Sequence, residues 1–257
     1  MPVQSKPFHQ DQKKAARPIW LEVFAGLDWM ALRTSPVYLG LGVPRGDGSA
    51  VIVVPGFMGT DLYLREMYEW LRRVGYSPYM SGIGRNAECL DVLVARLGKT
   101  VERARCETGG KVHLIGHSLG GILARSTAAL RPELVRSVIT LGSPFRGISS
   151  HPLVLQMAGI VRERINRERP RANQPECYTG YCECTAVTAV QSSFPESVVQ
   201  TAMYTKTDGI VDWRVCINDD PETDREVLGT HVGLAFNLYV YELIARRLAA
   251  VREIVKT

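Results

Sequence analysis

A serine flanked by glycines, in Gly116-His117-Ser118-Leu119-Gly120, is the clearest candidate for chemistry in this sequence. The residues before it, 111–115, have the pattern of a strand, and those after it, 121–130, have the pattern of a helix. A sharp turn from strand to helix exposes the serine hydroxyl and needs small neighbours, because strand and helix approach closely there. The motif therefore predicts that Ser118 is a nucleophile for acyl transfer.

A serine nucleophile needs a histidine base, and the chain offers five histidines, at positions 9, 113, 117, 151 and 231. In proteins built around such a turn the chain order is serine, acid, histidine, so the base must come late. Only His231 does, and Gly229 and Gly233 place it in a loop from which its imidazole can reach the serine. His113 lies inside the strand before the serine and is expected to be a core residue.

The acid that orients the histidine should lie at the end of a strand between Ser118 and His231. Residues 198–204 have a strand pattern, and Asp208 follows them in a turn with Gly209 behind it. Asp212, four residues later, is the rival. We expect Asp208 to be the acid, since it leaves the strand directly.

Acyl transfer also needs N–H donors for the oxyanion. The turn supplies one donor, the backbone N–H of Leu119. The second should come from the loop after the apolar run 50–54, which reads as a buried parallel strand. That loop begins Pro55-Gly56-Phe57-Met58-Gly59, and we expect Phe57 to be the donor, with Met58 as the alternative.

With these residues in place, the sequence resembles a bacterial lipase or esterase of the α/β-hydrolase superfamily. The segments that carry the resemblance are VIVVPGFMG, VHLIGHSLGG, VITLGSPFRG, YTKTDGIVDW and GTHVGL, in that order, spanning residues 51–234. The resemblance implies Ser118 as nucleophile, Asp208 as acid and His231 as base in a carboxylic-ester hydrolase without a cofactor. Pro55-Gly56 departs from the His-Gly of many relatives, and the cysteine-rich residues 177–184 have no counterpart in the family pattern.

The same residues would serve other acyl substrates, so amides, thioesters and lactones remain alternatives to esters. A non-catalytic α/β-hydrolase that only binds a ligand is a further alternative, which the complete set of three residues disfavours.

Strand and helix patterns alternate from residue 51 to 141, which predicts an α/β fold with a parallel sheet and helices on both faces. We expect a single α/β-hydrolase domain over 1–257, with an N-terminal tail and helix at 1–45 and a helix near 234–255. The alternation lapses at 145–197, where helical apolar spacing predicts an inserted cap or lid. Four residues are expected to line an apolar acyl pocket: Met58, Phe145, Leu153 and Met157.

Composition and charge indicate which classes of binding partner to expect. The hydrophobic fraction is 46% and the net charge is +5, with Lys and Arg spread along the chain, so no nucleic-acid partner is expected. Residues 18–31 predict an amphipathic helix packed on the domain, with a peripheral membrane or dimer contact as the alternative. Glu22 and Asp28 interrupt the apolar run and make it a poor export signal, which predicts a cytoplasmic protein, although an exported mature chain would look the same.

The chain has six cysteines, which are candidates for disulfide bonds or metal binding. Cys89 and Cys106 lie in a helical pattern and are expected to be buried thiols. Cys177, Cys182 and Cys184 could form a local disulfide or remain thiols. Their spacing does not match a zinc site, and no metal is expected.

Overall fold

The computed structural model describes residues 18–147, 152–168 and 184–254. Within these residues, six strands form one parallel sheet in the order β2-β1-β3-β4-β5-β6. The strands are β1 (Ala50–Val54), β2 (Ser77–Met80), β3 (Val112–His117), β4 (Val135–Leu141), β5 (Val199–Tyr204) and β6 (Asp224–Glu226). The helices are α1 (Ala25–Arg33), α2 (Arg65–Val74), α3 (Leu90–Thr108), α4 (Leu119–Leu130), α5 (Pro152–Glu168), α6 (Thr185–Gln191) and α7 (Leu238–Ile254).

The core lies on both faces of the sheet, because alternate side chains of each buried strand point to opposite faces. On one face Val51 and Val53 of β1 pack in a cluster with Trp70 of α2 and Tyr241 of α7. On the other face Ile52 packs in a cluster with residues of α3 and α4. Both faces of β1 are buried, as the continuous apolar run predicted.

The parallel arrangement explains where the predicted residues meet. All carboxyl ends of parallel strands lie at one edge of the sheet, where open α/β folds bind their ligands. The loop at Pro55–Gly59 follows β1, Ser118 follows β3, Asp208 follows β5 and His231 follows β6. Four segments distant in sequence are thereby brought to the same edge.

The α/β-hydrolase fold is confirmed, and several element boundaries differ from the predictions. Residues Asp61–Leu64 form a short 3-10 helix before α2, and a 3-10 helix at Gly233–Ala235 precedes α7. β6 has only three residues, none of them apolar, and it escaped prediction. The segment predicted as a cap contains α5 and α6, and Ser126 of α4 donates to the carbonyl of Ala186 in α6.

The N-terminal helix forms, but its orientation is the reverse of the predicted packing. A 3-10 helix, Ile19–Phe24, continues into α1. Trp20, Val23, Leu27 and Met30, expected against the domain, are exposed. The acidic side chains of Glu22 and Asp28 instead make hydrogen bonds to the domain.

Four of the six cysteines lie within the described residues. Cys89 and Cys184 are buried in one small apolar cluster. Cys106, expected to be buried, is exposed on α3. Cys177 and Cys182 lie outside the described residues, so the alternatives of a local disulfide and of thiols there stay predictions.

Candidate active site

Ser118 occupies a strained turn between β3 and α4. Its backbone has φ 52° and ψ −123°, a region that residues other than glycine rarely adopt. Its N–H donates to the carbonyl of Leu141 at the end of β4, 2.8 Å away. A Cβ at Gly116 or Gly120 would collide with neighbouring backbone, including the carbonyl oxygens of Val54 and Pro55 at Gly120. The flanking glycines therefore let α4 cross close to the strands while the serine protrudes.

The loop after β1 is held by Asn86, which precedes α3 and was missed in the sequence. Asn86 is fully buried, and its side-chain amide donates to the carbonyl of Pro55 (2.8 Å). The backbone N–H of Asn86 donates to the carbonyl of Gly59 (2.9 Å), and its carbonyl accepts from the N–H of Met58 (2.8 Å). The N–H of Met58, the alternative donor, is thus bonded within the protein, and the expectation of Phe57 as the second oxyanion donor stays a prediction.

The first expected donor, Leu119, is the first residue of α4. Backbone N–H groups in the first turn of a helix have no acceptor within the helix. The positive end of the α4 dipole also lies here, and it favours a developing negative charge.

Asp208 and His231 form a buried pair. Oδ2 of Asp208 accepts from Nδ1–H of His231 at 2.7 Å, and both side chains are almost completely buried. Oδ1 of Asp208 accepts from the N–H groups of Ile210 (2.8 Å) and Val211 (2.7 Å). A carboxylate only accepts, so Nδ1 carries the proton, and Nε2 of the neutral ring is left as the basic nitrogen.

Electrostatics favours the charged form of His231. Burial alone would lower the pKa of its imidazole, since a charged ring is poorly solvated there. The charge and hydrogen bond of Asp208, together with the charge of Glu22, outweigh burial and raise the pKa above its ordinary value. The site is therefore suited to hold the proton that a nucleophile releases.

Asp212, the rival acid, has a different role. Its side chain accepts from the N–H of Arg214 and caps the 3-10 helix Trp213–Val215. It also forms an ion pair with the Arg214 side chain at 3.2 Å. The structure thus brings Asp208, and not Asp212, to the histidine.

His117, the variable residue of the serine motif, links the serine turn to the histidine loop. Its Nε2–H donates to the backbone carbonyl of His231 at 2.8 Å, and the two rings are 5.0 Å apart. Burial and the neighbouring His231 lower the pKa of His117 to about 3, so it remains neutral. It acts as a fixed hydrogen-bond donor rather than as a base.

A cavity of about 250 Å³ opens beside Ser118 and His231. Its wall includes two of the predicted pocket residues, Met58 and Met157, and also Ile210. The lining is mainly apolar, as an acyl group would require. Leu153 belongs to α5, but its side chain lies outside the described residues.

Phe145, the remaining predicted pocket residue, does not line this cavity. It is 4% exposed and packs in a cluster with Ile122 and Val190. The guanidinium of Arg125 lies over its ring, 3.9 Å from the centroid. The expectation that Phe145 contacts the substrate was wrong for this cavity, because that cation–π contact and apolar packing bury the ring.

The described residues lack two kinds of feature. They contain no group of His, Cys, Asp and Glu side chains arranged to hold a metal ion. None of the helices they form is long and apolar enough to cross a membrane. The cytoplasmic location inferred from the sequence stays a prediction.

Similarity to known proteins agrees with this geometry. Residues 51–208 match the family described as palmitoyl protein thioesterase. A triacylglycerol lipase from Burkholderia plantarii is 31% identical over 137 residues, which are 48% of this chain and 37% of that protein. One from Pseudarthrobacter phenanthrenivorans is 35% identical over 111 residues, or 38% and 33%. The chain thus spans about a third of the length of these relatives.

Solved structures share the fold. A soluble variant of monoglyceride lipase from Saccharomyces cerevisiae has a TM-score of 0.56 at 15% identity, covering 81% of this chain and 90% of that one. The monoacylglycerol lipase of Paleococcus ferrophilus has a TM-score of 0.52 at 16% identity, covering 81% and 97%. At these identities the likeness establishes the α/β-hydrolase architecture.

The two aspartates give a direct test of the pair. Asp208→Asn should lower kcat by roughly 10³–10⁴, because an amide favours the wrong tautomer of His231. Asp212→Asn, the matched control, should keep kcat within a few-fold. In the unmodified protein, kcat/KM should fall at acid pH with a midpoint above the ordinary histidine pKa, because the pKa of His231 is raised. In Asp208→Asn, the midpoint of any residual activity should move to lower pH.

Steady-state kinetics on a p-nitrophenyl ester and melting temperatures of both variants make the comparison. A kcat loss confined to Asp212→Asn would move the acid to that residue.

Proposed function

The chain belongs to the palmitoyl protein thioesterase family, and we propose that it is a serine hydrolase that cleaves carboxylic esters of lipid or small-molecule substrates. The proposal is based on the arrangement of three side chains. The buried Asp208–His231 pair, joined at 2.7 Å, lies beside the same cavity as the strained Ser118. The lipases similar in sequence support an ester as the substrate.

The proposed mechanism uses these groups in order. Ser118 Oγ attacks the acyl carbonyl while Nε2 of His231 takes its proton, and Asp208 stabilises the resulting imidazolium. The N–H groups of Leu119 and Phe57 bind the oxyanion. His231 then protonates the leaving oxygen, and water activated by the same base hydrolyses the acyl-enzyme.

A thioester is the second candidate substrate, because the family is described by that activity. The same groups would attack either carbonyl. A thiol has a pKa near 8.5, so a thiolate leaves with less protonation by His231 than an alkoxide requires. Fit of the acyl and leaving groups to the cavity therefore decides between the two substrates.

A substrate panel tests the proposed function. The unmodified protein should hydrolyse short p-nitrophenyl esters, and Ser118→Ala should lower kcat by at least roughly 10⁴, since it removes the nucleophile. Matched acyl esters, thioesters and amides would rank the candidate substrates by kcat/KM. No turnover of any of them would favour a non-catalytic binding protein.

We also propose that α5 forms the cap of the acyl pocket. Met157 of α5 lies in the cavity wall, which also includes Ile210 of the loop after β5. Ile160, one turn further along α5, does not line the cavity and is 67% exposed.

These two residues of α5 form a matched pair for an experiment. Met157→Asp should raise KM for long acyl esters more than for acetyl esters, because a carboxylate desolvates poorly against an acyl chain. Ile160→Asp should leave the chain-length profile unchanged. Kinetics on p-nitrophenyl esters from acetyl to decanoyl make the comparison, and equal profiles for the two variants would exclude α5 as a cap.

The outward face of the N-terminal segment supports a peripheral lipid contact. Trp20, Val23, Leu27 and Met30 are 57–73% exposed. Residues 1–17, which precede this face in sequence, contain four basic side chains and one acidic side chain. Apolar side chains next to basic ones are typical of segments that bind anionic lipid surfaces.

Val23→Asp combined with Leu27→Asp should reduce binding to vesicles of phosphatidylglycerol and phosphatidylcholine by about tenfold or more, since both charges would have to enter the lipid interface. Leu130→Asp is the control, because this exposed leucine lies at the far end of α4 from Ser118. Vesicle co-sedimentation measures the effect. Unchanged binding of the double variant, or no binding of the unmodified protein, would refute the contact.

A further inference from the structure

Glu22 connects the two loops that hold the proposed acid and base. Its Oε1 accepts from the N–H of Gly209 (3.1 Å) and from the N–H of His231 (3.2 Å). Its Oε2 accepts from the N–H of Val232 at 2.8 Å. Gly209 follows Asp208 directly, so one carboxylate spans the loop after β5 and the loop after β6.

The local packing leaves this carboxylate little freedom. A Cβ at Gly209 would come within 3.3 Å of the carbonyl oxygen of Pro18 and 3.5 Å of Ile19 Cα. The N-terminal segment therefore rests on the backbone of the Asp208 loop. Asp28, further along the same helical segment, anchors it by accepting from the side-chain amide of Asn237 at 2.9 Å.

We propose that Glu22 is a positioning residue for the reaction: it holds the Asp208 and His231 loops in the relative placement that proton transfer requires. The proposal rests on the proposed function. Three backbone N–H groups on one carboxylate are charge-assisted hydrogen bonds, which are stronger than neutral ones. Removing the carboxylate would leave these donors unpaired and let the two loops separate.

Glu22 also acts on His231 through its charge. A carboxylate near the imidazole favours the imidazolium and raises its pKa, in the same direction as Asp208. The titratable groups that face or adjoin His231 come from several elements: Asp208 after β5, Glu22 in the N-terminal 3-10 helix, His117 in β3 and Tyr63, whose hydroxyl donates to the carbonyl of Val232. His117 is neutral and burial raises the pKa of Tyr63, so the two carboxylates supply the negative charge.

Loss of Glu22 should therefore have two separable effects. Misplacement of the base should lower kcat with a smaller change in KM, and an error of about 1 Å can cost about 10²-fold. Loss of the charge should lower the pKa of His231, so the acid limb of the kcat/KM profile should move to lower pH although the maximal rate falls. A purely structural role would reduce the melting temperature without moving that limb.

Glu22→Ala, Glu22→Gln and Asp28→Asn form the test set. Glu22→Ala should lose roughly 10²-fold in kcat. Glu22→Gln keeps one acceptor oxygen, so it should lose less kcat but show the same downward shift of the acid limb. Asp28→Asn keeps an oxygen that can accept from Asn237 and leaves the three hydrogen bonds of Glu22 in place, so it should leave the pH profile unchanged.

The His231 pKa should also be measured by NMR titration of ¹³C- and ¹⁵N-labelled histidines, with its signal assigned by its loss in His231→Gln. This readout does not depend on hydrolysis. A lower His231 pKa in Glu22→Gln, together with the kcat loss, supports the proposal. An unchanged pKa and an unchanged kcat in a folded Glu22→Gln would overturn it. Absence of turnover in the unmodified protein would instead count against the proposed function, and the titration would still decide the electrostatic link.

Discussion

The close crossing of α4 over β1 and β3 is the constraint on which the rest of the site depends. The backbone of Gly120 lies against the carbonyl oxygens of Val54 and Pro55, so no side chain fits there. Ser118 pays for this approach with a positive φ, a conformation that costs about 1–3 kcal/mol and persists only where the surroundings impose it. The same crossing places the N-terminal end of α4 at Ser118, which lines the cavity.

Around that crossing, the site keeps a buried ionisable pair in place by satisfying its polar groups. Asp208 receives hydrogen bonds from His231 and from two backbone N–H groups. The carbonyl of His231 is bonded by His117 and its N–H by Glu22. An unpaired charge at this depth would be strongly destabilising. The histidine loop is thus fixed from two sides, by the serine motif itself and by the N-terminal segment.

The N-terminal segment shows why pattern alone misleads. Its apolar spacing predicted a helix packed by its apolar face, and the helix does form. However, Glu22 and Asp28 turn toward the domain because backbone N–H groups and Asn237 there offer them hydrogen bonds. The apolar side chains Trp20, Val23, Leu27 and Met30 are left exposed at the surface.

The sequence predicted what depends on local pattern. The serine motif located the turn at Ser118, and strand ends with chain order led to Asp208 and His231, which the structure joins. It could not reveal Glu22, because a carboxylate that bonds backbone N–H groups 187 to 210 positions away leaves no spacing signal. Nor could it reveal β6, whose residues Asp-Arg-Glu have no apolar alternation and form a strand only by pairing with β5.

Covalent labelling with a fluorophosphonate tests whether Ser118 is an activated nucleophile, since such a probe forms a stable adduct only with an activated serine. After digestion and mass spectrometry, we expect one modified peptide, carrying the phosphonyl group on Ser118, and no labelling of Ser118→Ala. Labelling of a different serine, or equal labelling of the Ser118→Ala variant, would contradict the assignment of this turn as the reactive centre.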